Sequence, residues 1–78
     1  MTDRLKKHNE LTREFVMRFG KECSSYAELM VVVESMLMAC MLVNTKVFLQ
    51  KPHVASGLVE AAVQRAIDRF AKDQKNEI

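Results

Sequence analysis

The sequence predicts an all-α protein: three antiparallel helices, the long apolar central one flanked by two amphipathic ones and completed by homodimerisation. Three observations carry that prediction. The chain has only two glycines and one proline in 78 residues and no tryptophan, too few turn residues for a β fold. Apolar residues recur at helical spacing on both sides of a central run. That run, LMVVVESMLMACMLV over residues 29–43, holds thirteen apolar side chains broken only by Glu34 and Ser35.

The first helix is expected over about residues 3–19. Leu5, Leu11, Phe15, Val16 and Phe19 fall on one face, with His8 and Thr12 between them. Asp3 suits the first turn, and Asp3–Lys7 and Glu14–Arg18 are oppositely charged pairs four residues apart. Gly20 offers the left-handed residue that commonly stops a helix.

A second start follows in Ser25-Tyr26-Ala27-Glu28, which has the pattern of a capping box. The helix then spans about 26–50, stopped by Lys51-Pro52; a break at Asn44-Thr45 is the alternative end. The third helix covers about 54–72, entered at Pro52 or capped by Ser56. Val59, Ala62, Val63, Ala66, Ile67 and Phe70 form its expected buried face, and residues 73–78 are expected to fray. The whole of 1–78 reads as one domain, near the size at which a single core is only marginally sufficient.

The central run needs a cover. Fifteen helical residues reach about 22 Å, short of a bilayer core of about 30 Å, and Glu34 would be costly in lipid, so no membrane is expected. Two amphipathic neighbours shield about a third of a helix each, so apolar surface is left over. The expected cover is a second copy of the chain or an unidentified protein. Four methionines in the run suit such a surface, being unbranched and adaptable.

Chemistry is sparse. His8 reads as a core histidine and His53 as an exposed one. Cys40 reads as a small buried apolar residue, too far from Cys23 for a disulfide. The histidines and cysteines lack the local spacing of a zinc site, so neither metal nor other cofactor is expected, and no catalytic triad or phosphate loop can be assembled. Lys51 to Gly57 is the one segment with loop chemistry and could hold an anion at a helix entry.

The formal net charge is +2, with no block of like charge. A helix-turn-helix reading of Gly20–Tyr26 would put the most apolar helix in a major groove, so nucleic acid is possible but not favoured. No secretory signal is visible, and a cytoplasmic location is the default expectation.

The sequence therefore points to a non-enzymatic interaction protein: a small regulator, adaptor, inhibitor or dedicated chaperone docking a larger partner. A nucleic-acid-binding helical dimer is the alternative, and a small-ligand binder at a subunit interface the third reading. Met30, Glu34, Met38, Met41 and Phe48 are the candidate interface residues. Arg65, Arg69 and Lys72 form a second candidate, a charged face.

Overall fold

The computed structural model describes residues 2–77. They form three α-helices, α1 (Thr2–Glu22), α2 (Tyr26–Lys46) and α3 (Pro52–Glu77), with no strand among the described residues. The chain divides into two compact units, Met1–Glu34 and Ser35–Ile78, the division falling within α2.

In the first unit, α1 continues through Gly20 to Glu22, one turn past the expected stop. Gly20 does not take a positive φ, so it serves as an ordinary helical residue. The stop comes at Cys23, whose amide still donates to the Phe19 carbonyl at 3.1 Å, before Ser24 and Ser25 turn the chain. Serines compete for backbone partners and so favour helix ends. Arg18 pairs with Glu22 (3.7 Å), not with the expected Glu14, and its guanidinium lies 5.0 Å from the centre of the Phe19 ring. Phe19 in turn stacks at a tilt on Phe15, with ring centroids 4.8 Å apart. These two rings are the half-buried part of the α1 face; Leu5, Leu11, Val16 and the exposed His8 lie open to solvent. The expected core histidine is therefore a surface residue, because the shielded face reaches back only as far as Phe15.

At the start of α2, Ser25 caps the helix as expected: its Oγ accepts the Glu28 amide at 3.3 Å. The return contact is displaced by one residue. The Glu28 carboxylate accepts from the Ser24 hydroxyl (2.6 Å) and the Ser24 amide (3.2 Å). Those bonds hold the Glu28 carboxyl below its ordinary value, the hydroxyl bond contributing most.

The second unit holds the rest of α2, the α2–α3 connection and α3. α2 ends at Lys46, not Gln50, so the irregular Thr45–Gln50 alternative lies closer to the observed end. Thr45 Oγ1 donates to the carbonyls of Met41 (3.0 Å) and Leu42 (3.1 Å). The Val43 carbonyl then receives two amides, from Val47 (2.9 Å) and Phe48 (3.2 Å), and the Gln50 amide reaches back to Asn44 (3.0 Å). This widened last turn satisfies carbonyls that a helix end otherwise leaves open. It requires Leu49 to adopt φ 57°, the left-handed conformation that a leucine rarely takes.

α3 begins at Pro52, the earlier of the two expected starts. Pro52 occupies the first helical position, where its missing amide costs nothing, and the Lys51 carbonyl receives the amides of Val54 and Ala55 (both 3.0 Å). Ala55 is the one buried apolar residue described, 1% exposed. Val59 and Val63 continue its stripe half-buried, and Leu37 and Met41 on α2 are half-buried likewise. Beyond that stripe the expected face opens: Ala62, Ala66, Ile67 and Phe70 are exposed. α3 continues to Glu77, past the expected end at residue 72; Ile78 lies outside the described residues.

Candidate interaction surface

No residue of α2 is buried, although it is the most apolar element of the chain. Partial shielding takes two separate stripes. Leu29, Val32 and Val33 are half-buried in the first unit, and Leu37, Met41, Asn44 and Thr45 in the second. Cys40 lies off both stripes and is exposed, so the expectation of a buried thiol is corrected; Cys23 is half-buried, and both cysteines are free.

The five candidate interface residues divide accordingly. Met30, Glu34 and Met38 are exposed on α2, Met30 by 51% and Met38 by 61%. Met41 is half-buried and, with Leu37, lines a cleft of about 760 Å³ whose other residues, Ser56 to Gln64, come from α3. Gly57 and Ala61 line the same cleft, and a Cβ built on Gly57 would meet nothing within 4 Å. Phe48 is not on α2 at all. It stands in the turn after it, in an exposed apolar tip of Val47, Phe48 and Leu49. Sequence reasoning missed that tip because it treated these residues as helical.

Arg65, Arg69 and Lys72 are exposed on α3. Arg69 and Lys72 share a shallow cleft of about 510 Å³ with Asp68 and Ala71, and Asp68 accepts a hydrogen bond from the Gln64 amide group (3.0 Å). The charged face is thus mixed in sign.

The Lys51–Gly57 segment is committed to starting α3. Pro52 has no amide, those of Val54 and Ala55 already serve Lys51, and the Ser56 hydroxyl donates to the His53 carbonyl (3.2 Å). His53 is exposed in the first turn of α3. Just before it, Gln50 Oε1 is shielded from solvent and has no hydrogen-bond partner among the described residues.

The length of α2 bears on whether it could span a bilayer. At 21 residues it is about 31 Å long, and with a mean hydropathy of 1.8 over its most apolar 18 residues it is long and apolar enough to cross a bilayer. The shortness inferred from the fifteen-residue run therefore does not apply. Glu34, close to its midpoint, still does.

Comparison with known proteins finds no family model, curated sequence or solved structure that matches the chain.

Proposed function

We propose that the protein is a small non-enzymatic helical interaction module, a three-helix antiparallel bundle completed by a second copy, that docks a larger protein. The observation that carries this reading is that no residue of α2 is fully buried, despite its composition, and that Met30, Val31, Met38 and Leu42 stay exposed. Exposed apolar surface of that extent is the usual mark of a surface made to be covered. Regulators, adaptors, inhibitors and dedicated chaperones act in this way, through contact and without a reacting group.

The outer charged residues Arg65, Arg69 and Lys72 give the associated form a polar face for the larger partner. A bilayer is the weaker cover. Glu34 sits near the middle of the helix, and α3, which shares a cleft with Leu37 and Met41, carries Glu60, Arg65, Asp68, Arg69 and Lys72. Nucleic acid is weaker too, because Asp3, Glu10 and Glu14 interrupt the basic residues of α1.

Unfolding followed by circular dichroism at several protein concentrations tests the reading. Folding coupled to association raises the midpoint with concentration. A concentration-independent midpoint, together with steeply salt-dependent binding to duplex DNA, would replace this reading by nucleic-acid binding.

A further inference from the structure

Val47, Phe48 and Leu49 follow one another in the turn between α2 and α3, and are 65%, 65% and 82% exposed. Three consecutive apolar side chains this open are unfavourable in water. Leu49 is also held at φ 57°, a strain that its exposed side chain does not offset by packing. Strain of this kind gathers where a segment has a task outside the fold.

The backbone of the turn, by contrast, asks little of water. The amides of Val47 and Phe48 both donate to the Val43 carbonyl, and the Gln50 amide donates to the Asn44 carbonyl. A segment whose amides are already bonded leaves water at far lower cost than an open loop.

Charge around the tip has one sign. Lys46 precedes it and Lys51 follows it, both exposed, and His53 is exposed just beyond. From residue 35 to residue 59 the chain has no acidic residue. Glu60, the first acid of α3, lies about 12 Å along the helix from Pro52. That is beyond the roughly 10 Å over which exposed charges act at about 0.1 M salt. The two lysines are also the whole of the chain's formal charge of +2, because the other ten basic residues are matched by ten acidic ones.

We propose that this tip is an anchor for the surface of an anionic bilayer. Val47, Phe48 and Leu49 enter the boundary between headgroups and acyl chains, while Lys46 and Lys51 extend back to the lipid phosphates and carboxylates. An apolar wedge with cations at its rim matches that layered surface without needing a shaped pocket. The contact is shallow and is not the crossing of a bilayer by α2. It goes beyond the proposed association through α2 and does not depend on it.

Sedimentation of the full chain with vesicles tests it, using phosphatidylcholine alone and an equal mixture of phosphatidylcholine and phosphatidylserine. The chain should prefer the mixed vesicles by roughly tenfold or more, and Lys51→Gln should weaken that binding by about fivefold. Leu49→Gly, which removes the side chain and its strain together, should stay folded and bind several-fold more weakly. Depth is read separately. The chain has no tryptophan, so Phe48→Trp reports from the tip alone. Its emission should shift to the blue with mixed vesicles and be quenched by lipids brominated on the acyl chain. Trp in place of Phe70, exposed and further along α3, should do neither. No binding, equal binding to both vesicle types, unchanged affinity of the Lys51 or Leu49 variant, or an equal response at position 70 would overturn the proposal. So would a Phe48→Trp emission already blue-shifted without lipid and dependent on protein concentration, which would give the tip to a second copy of the chain.

Discussion

Ser24 donates its hydroxyl to the Glu28 carboxylate across 2.6 Å, while Ser25, one residue on, accepts the Glu28 amide. The two halves of a capping box are thus divided between neighbouring serines. Ser25→Ala should cost about 1 kcal/mol, as loss of a helix N-cap does. Ser24→Ala should leave the cap in place and instead return the Glu28 carboxyl towards its ordinary pKa. Chemical denaturation of each variant, with an NMR titration of Glu28, separates the two effects.

The same contact makes a pH prediction. The Glu28 carboxyl has a folded pKa below its ordinary value of 4.5, so the folded state holds its proton less tightly than the unfolded state. Its contribution to stability is complete above the unfolded value and is lost as pH falls through the folded one. Stability should therefore have a component that declines only below about pH 4.5 and that Glu28→Gln removes. The check is a comparison of unfolding midpoints between pH 7 and pH 3 for the two proteins.

Leu49 is the residue whose backbone the fold strains, with φ 57° and a side chain 82% exposed. A left-handed residue with a Cβ costs about 1–2 kcal/mol, and an exposed leucine returns little packing energy for it. Leu49→Gly should raise stability by up to about 1 kcal/mol after the glycine's own entropy is counted. Leu49→Val should lower it, since a β-branched residue fits that conformation worse. Thermal unfolding at one fixed concentration reads both.

Ala55 is nearly inaccessible at the start of α3, where the stripe shared with Val59 and Val63 begins. Ala55→Leu should destabilise by about 1–3 kcal/mol through overpacking. The same change at exposed Ala62 should be close to neutral in the isolated chain. A denaturant series on the two variants distinguishes a shielded position from an open one.

Helix number and class were legible because three apolar patterns at helical spacing are separated by Ser24-Ser25 and by Pro52. Helix ends were less so. Gly20 has the composition of a stop, yet the serines that follow it make the turn. Leu49 has nothing of a stop, yet the widened turn at Val43 forces it into the conformation usually left to glycine. The faces were harder still. Periodicity shows that Leu11, Ile67 and Phe70 lie on apolar faces, but not how far along each helix the shielding reaches. Met30, Glu34 and Met38 were readable as members of the apolar run, and all three are exposed on α2. Phe48 was misplaced with the helix end.

The proposed role requires another chain to cover α2. The most direct measurement is molar mass by light scattering over a dilution series down to micromolar protein, on the native chain and on Met38→Lys. A dimer is expected for the native chain and a monomer of unchanged helix content for Met38→Lys, because a lysine buried between chains would be unpaired. A native chain that remains a folded monomer throughout, its mass and stability unaffected by Met38→Lys, would contradict it.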